Sequence, residues 1–195
     1  GSAEAVIDDP AIDAVAIYVP PWLRRPLVER AAKNRKHIIT TKPLAPTVED
    51  CEAMVQVVEE AGVFAGVVYN RTSNLLAQTL KQIFESGELG QLALYKQDWL
   101  HHYPHWNTWA LDPEKNGGPF MDAMIHNLNA SRHLMGREVI AGTFFSDRHA
   151  HPDLPCADTE FLKLDFQNSG SAYLFITWAA DLNLLEEGGN YREHI

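Results

Sequence analysis

Three short and almost wholly apolar runs, AVAIYV at 14–19, HIIT at 37–40 and VFAGVVY at 63–69, fall within the first seventy residues, separated by segments of helical periodicity. Strands with one wet face alternate polar and apolar residues. Runs apolar throughout belong to strands of a parallel sheet covered on both faces. The intervening segments, WLRRPLVERAAKN at 22–34 and a helix over 47–61, are long enough for the crossovers that parallel strands require. The pattern is therefore β-α-β-α-β with right-handed connections. Pro20-Pro21 stops the first strand, and TVED at 47–50 is a capping box that starts the second helix. Ligands of such sheets bind beyond the carboxyl ends of the strands, which here are Val19-Pro20-Pro21, Thr40-Thr41-Lys42-Pro43 and Tyr69-Asn70-Arg71.

The remainder reads differently. A helix from about Asn74 to Ser86 closes at Gly87, and QLALYKQDWLHH then alternates as a half-buried strand. An aromatic loop, HYPHWNTWALDPEKN, leads into a helix that opens at Gly117-Gly118. EVIAGTFFS, TEFLKLDF and SAYLFITWAA follow as strands, the last two joined by an Asn168-Ser169-Gly170 hairpin turn. The expected architecture is α/β: a partial Rossmann domain over 1–71, then an α+β domain over 72–195 with a largely antiparallel sheet. The closing DLNLLEEGGNYREHI has only weak periodicity.

Composition removes several functional classes. A net charge of -10 with no Lys/Arg-rich run disfavours nucleic acid and anionic membrane surfaces, which need clustered cations. No apolar run approaches the ~20 residues that span a bilayer. Cys51 and Cys156 are too few for a disulfide framework and lack metal-type spacing, which points to a reducing cytoplasm.

Chemistry-bearing residues gather at two places. In GGPFMDAMIHNLNASRHL at 117–134, the polar Asp122, His126, Asn129 and His133 fall within roughly 60° on an α-helix. Asn129 and His133 fit a solvated face equally well. Asp122 and His126, an i, i+4 carboxylate and imidazole near a Gly-Gly helix start, can hydrogen-bond each other and face a cavity. Lys42, held by Pro43 at a strand's carboxyl end, is the second place. HHYPHW brings His101, His102 and His105 close in sequence, but neighbours on a strand point to opposite faces, so no metal site is expected. Trp99, Trp106 and Trp109 are suited to packing or to stacking on a sugar face.

TTKPLAPTVEDCEAMVQVVEEAGV, VVYNR, FESGELGQL, WALDPEKNGG and MDAMIHNLNASRHLMG occur in an order and spacing that resemble the glucose-fructose oxidoreductase / inositol dehydrogenase family of NAD(P)-dependent enzymes, from about Ala14 to Trp178. The resemblance implies hydride transfer between a nicotinamide cofactor, NAD or NADP, and a secondary alcohol of a sugar, cyclitol or related polyol. It makes Lys42 the counterpart of the lysine in the family's Glu-Lys-Pro motif, Asp122 of its active-site aspartate and His126 of its catalytic histidine. Val19-Pro20-Pro21 looks like the turn against the nicotinamide ribose, and Asn70-Arg71 like the segment crossing to the substrate domain, so these residues and Lys42 are the expected cofactor contacts. Trp109 and Asn129 are the expected substrate contacts.

Three departures stand out. Thr41 replaces the usual glutamate before Lys-Pro, and Ala110 stands where many members have a basic residue. The family's opening strand and GxGxxG turn, which hold the pyrophosphate, have no counterpart in these 195 residues, so the chain reads as an internal piece that also stops before the closing strands. A homo-oligomer is expected, through an unpaired apolar sheet edge or the second domain's sheet. The competing reading is a non-catalytic remnant that acts as an oligomerisation or binding module. A third keeps the cofactor but uses transient oxidation to cleave or eliminate.

Overall fold

A computed structural model of the chain describes residues 1–101, 109–180 and 191–194, and it divides into two compact units, Gly1–Tyr69 and Asn70–Ile195. The first unit runs α1 (Ala3–Asp8), β1 (Ala14–Ile17), a 3-10 turn (Pro21–Leu23), α2 (Arg24–Lys33), β2 (His37–Thr41), α3 (Val48–Ala61) and β3 (Ala65–Val68). Its sheet has the order β1-β2-β3 with both pairs parallel, as the apolar runs imply. Ile17 lies opposite Thr40 and Thr41 opposite Val68, so the carboxyl ends of all three strands reach one edge.

Both crossovers run the same way across the sheet, and right-handedness then places α2 and α3 on one face. There Val28, Ala31 and Ala32 of α2 and Met54 of α3 pack on Val15, Ile17 and Ile38. Among the described residues, Ala14, Ala16, Ile39 and Val68 on the opposite face are exposed, whereas uniformly apolar strands suggest burial on both faces. Helix α1 has no counterpart in the sequence reading. It is only six residues long and is held by a local cap, Ser2 Oγ accepting from the Ala5 amide at 3.2 Å, too short for periodicity to register. Thr47 caps α3, its Oγ1 accepting from the Asp50 amide at 3.1 Å, as TVED foretells.

The second unit continues with α4 (Asn70–Ser73), α5 (Leu75–Ser86), β4 (Leu94–His101), a 3-10 turn (Trp109–Leu111), a π-helical turn (Phe120–Met124), α6 (Ile125–Met135), β5 (Val139–Asp147), β6 (Thr159–Phe166), β7 (Ser171–Thr177) and β8 (Tyr191–His194). The sheet order is β5-β6-β7-β4-β8, antiparallel except for the parallel pairing of β4 with β7. The hairpin turn carries φ values of 60°, 85° and 99° at Asn168, Ser169 and Gly170, a left-handed run that suits asparagine and glycine. Met124, Phe120 and Ala123 lie on Trp99, Leu174 and Ile176, so the helix that carries Asp122 and His126 is seated on one face of this sheet. Of the closing segment, Tyr191–His194 pairs with β4, and residues 181–190 lie outside the described ones.

Asp158 organises the loop between β5 and β6. Its side chain is fully buried, and its carboxylate accepts from the amides of His149, Ala150 and His151 at 2.8–3.1 Å and from the Thr159 hydroxyl at 2.9 Å. Burial alone would raise its pKa, but these donors outweigh it and hold the carboxyl below the usual range. A group so depressed stabilises the fold above its ordinary pKa and loses that contribution as pH falls through the lowered value. Asp158→Asn, which presents an amide N–H to one of the donors, is expected to cost about 1–3 kcal/mol at neutral pH. Denaturant unfolding at pH 7 checks this, and an unchanged midpoint would refute it.

Candidate active site

At the carboxyl edge of the first sheet, Val19 and Pro20 are half-buried, and Pro21 opens the 3-10 turn that leads into α2. Lys42 follows β2 directly, half-buried, and its peptide bond to Pro43 is cis. The two segments are tied together by Arg24, the first residue of α2, whose side chain is 1% exposed. Its Nη1 donates to the carbonyls of Thr41 (2.8 Å), Leu44 (2.9 Å) and Pro43, and its Nη2 to that of Val19 (2.8 Å).

In the second unit, Gly117 and Gly118 have φ of 86° and 117°, and a Cβ at Gly118 would meet the Glu160 carboxylate at 3.4 Å and the Ala157 carbonyl at 3.6 Å. Those contacts are ordinary, and it is the positive φ that calls for glycine at 118. Pro119 follows and the helix begins. Its first turn is π rather than α, so the ideal spacing that aligns Asp122 with His126, Asn129 and His133 holds only from Ile125 onward. A π turn takes in an extra residue, which rotates Asp122 relative to the rest of the stripe, and such turns recur at functional sites. Asp122 and His126 are both half-buried and one turn apart. Asn129 donates its amide to Thr72 Oγ1 at 3.3 Å, which links α6 to α4. On α4, Asn70 is exposed, while the Arg71 guanidinium lies 4.7 Å from the Trp99 ring centroid in a cation–π contact. Trp109 is half-buried in its 3-10 turn.

Val19, Pro20, Pro21 and Lys42 are thus gathered at one edge of the first unit, and Asp122, His126 and Asn129 along one helix of the second. His101 is buried at the end of β4 beside Trp99, whereas His102, His105 and Trp106 lie outside the described residues. Among the described residues, no cluster of His, Cys, Asp or Glu could hold a metal ion.

Two residues that matter here were not singled out from the sequence. Arg24 sits in an Arg-Arg pair that reads as an exposed helix start. Glu160 left a clearer trace, because in TEFLKLDF it shares the inward face with Leu162, Leu164 and Phe166. It is 4% exposed and accepts from the Phe120 amide at 2.6 Å and from the Ser146 hydroxyl at 3.2 Å. Pro119 cannot donate, so the Phe120 amide is the first donor of this helix, and a carboxylate at that end also meets the positive pole of the helix dipole. Burial nevertheless dominates and pushes the Glu160 carboxyl up to about 6. A carboxyl raised in this way stabilises the fold below its ordinary pKa and loses that contribution as pH rises toward 6. Glu160→Gln keeps an oxygen for Phe120 without the charge. Its stability relative to the parent is expected to grow by about 2 kcal/mol between pH 4.5 and 6.5. Melting curves across that interval test it, and a constant difference would show that Glu160 is not ionising there.

Residues 2–69 match the family model described as oxidoreductase family, NAD-binding Rossmann fold, and residues 77–186 match the GFO/IDH/MocA C-terminal domain. D-xylose 1-dehydrogenase (NADP+) of Haloarcula marismortui is 32% identical over 89% of the chain and 49% of its own length. The scyllo-inositol 2-dehydrogenase (NAD+) of Bacillus subtilis is 29% identical over 69% of the chain and 38% of its own length. Among solved structures, aldose-aldose oxidoreductase from Caulobacter crescentus, complexed with glycerol, superposes with a TM-score of 0.83 at 29% identity, covering 91% of this chain and 54% of that one. The chain spans about half the length of the curated relatives it matches.

Proposed function

The chain belongs to the GFO/IDH/MocA oxidoreductase family, and from that premise we propose that the protein carrying it transfers hydride between NAD or NADP and a secondary alcohol of a sugar, cyclitol or related polyol. The observation that carries this reading is the joint presence of Lys42 at the carboxyl end of a parallel strand and of Asp122 and His126 on a helix that opens with a π turn. The matched relatives are enzymes, which disfavours a non-catalytic binding module.

The edge formed by Val19, Pro20, Pro21 and Lys42 suits the nicotinamide and ribose end of a dinucleotide better than its phosphates. Prolines offer no amide, and the Val19 carbonyl is already taken by Arg24. Asn70 and Arg71 complete the cofactor contacts assigned to this chain. When bound, the dinucleotide supplies the hydride acceptor or donor. The chain's own residues manage charge and protons. His126 as a neutral imidazole takes the hydroxyl proton, work for which an ordinary histidine is suited near pH 7. Lys42 is a positive donor suited to stabilising negative charge that develops on a substrate oxygen. Asp122 orients His126 or binds a neighbouring hydroxyl. Trp109 offers an apolar ring to a sugar face, and Asn129, with one N–H spent on Thr72, has a carbonyl oxygen for a substrate hydroxyl.

The free thiols, Cys51 half-buried and Cys156 buried, support a cytoplasmic setting. No helix among the described residues is long and apolar enough to cross a membrane. A homo-oligomer is supported by the outer face of the second sheet, where Phe145, Phe161 and Tyr173 form a row with ring centroids 6.2 Å apart and Phe145 is 57% exposed. The Lys163–Asp165 ion pair on the same face carries both signs, so the patch can meet a second copy of itself across a two-fold axis. Phe145→Asp is expected to shift the protein toward monomer in light scattering over a dilution series, and an unchanged mass at every dilution would exclude that face.

His126→Ala is expected to leave dinucleotide affinity near normal and to cut turnover ~100-fold or more. Lys42→Met is expected to cost more turnover than Lys42→Arg, which keeps a positive donor. Steady-state kinetics of the protein with both dinucleotides and a polyol panel decides. Full activity in His126→Ala would remove the general-base assignment.

A further inference from the structure

The placement of Arg24 carries an inference about Lys42. A guanidinium with 1% exposure has lost nearly all its hydration, a cost that proteins ordinarily offset with a carboxylate. Every hydrogen bond that the structure gives the Arg24 side chain goes instead to a backbone carbonyl: Val19, Thr41, Pro43 and Leu44. Burial pulls its pKa below the usual value, yet a guanidinium keeps its charge in proteins, so the carbonyl dipoles are what hold it. Three of the four carbonyls bracket Lys42 within two residues on either side, and the fourth belongs to the turn that ends β1. The buried Nε–H has no partner among the described residues, but the two terminal nitrogens lie in one plane with fixed donor directions, so their bonds constrain the directions of these carbonyls and with them the backbone from which Lys42 projects.

We propose that Arg24 is the positioning residue for Lys42, its buried guanidinium setting the course of the chain on both sides of that lysine and locking it to the Val19 turn. This rests on the role given above to Lys42. A lysine ammonium ends a flexible four-carbon stem, and a small displacement of its base is enough to misplace the donor by the distance that costs catalysis.

Arg24→Lys tests the proposal, since it keeps the charge and replaces the fork with a compact ammonium. Arg137→Lys is the matched control, because that guanidinium also grips carbonyls, those of Leu92 (2.7 Å) and Met135 (3.2 Å), within the second unit. Lys42 is observed directly as the 13C-dimethylammonium signal of the reductively methylated protein, assigned by its loss in Lys42→Arg. In Arg24→Lys the chemical shift and titration midpoint of that signal are expected to move, and kcat to fall about tenfold or more, with KM for the alcohol within roughly twofold. In Arg137→Lys the melting temperature falls, while the Lys42 signal stays where it is in the parent. If Arg24→Lys does not fold, Arg24→Gln, which keeps two N–H donors, is read in the same way. A Lys42 signal unchanged in a folded Arg24 variant overturns the proposal, and so does failure of both variants to fold, which would make Arg24 a requirement of the whole unit rather than of one lysine. The signal does not depend on turnover. A moved signal with unaltered kcat therefore leaves the positioning intact and removes the role given to Lys42.

Discussion

A charged group taken out of water must be answered, and in this protein three such groups are answered chiefly by the backbone. Arg24, Asp158 and Glu160 are all under 5% exposed, and their recorded hydrogen bonds go to carbonyls, amides and a few hydroxyls, not to an opposite charge. The penalty for leaving any of them unsatisfied is several kcal/mol, comparable with the stability of a whole domain. Each charge therefore dictates the path of the chain around it. Arg24 sets the turn before and after Lys42, Glu160 sets where the helix bearing Asp122 and His126 begins, and Asp158 sets the loop over 149–151.

The order of importance follows from what each charge touches. The three-stranded parallel sheet brings its strand ends to one edge, but the edge alone leaves a five-residue stretch from Thr41 to Ala45 to find its own course. Arg24 removes that freedom. In the second unit the sheet gives a flat apolar seat through Trp99, Leu174 and Ile176, which fixes the height of the helix without fixing its start. Glu160, reaching from β6 to the Phe120 amide 40 residues earlier, supplies the missing constraint along the helix axis. The helix that follows opens with a π turn at Phe120–Met124 before α6 becomes regular.

Under the proposed function the substrate is a sugar, cyclitol or related polyol. A polyol offers many hydroxyls and no charge, so discrimination rests on positioned donors and acceptors rather than on ion pairing. Rigid placement of a lysine, a carboxylate and an imidazole by second residues that do not touch substrate is what such discrimination requires. The matched relatives include dehydrogenases of D-xylose, scyllo-inositol and myo-inositol.

What the sequence determined by itself is whatever a short stretch can encode by its own period or its own turn chemistry. Apolar runs and helical crossovers specify parallel β1, β2 and β3. Thr47 and Asn74 cap their helices, Gly87 and Gly136 end theirs in the left-handed region, and Asn168-Ser169-Gly170 turns β6 into β7. Lys42, Asp122 and His126 were singled out from their residue types and order alone, and their roles rest on the proposed function. Only the tertiary structure decided the parallel pairing of β4 with β7, whose partners lie 77 residues apart, the exposed residues on one face of the first sheet, the π turn, and the work of Arg24 and Glu160. The reason is desolvation. An arginine or a glutamate reads as a surface residue until the fold excludes water around it, and what it then holds depends on backbone groups brought to it from elsewhere in the chain.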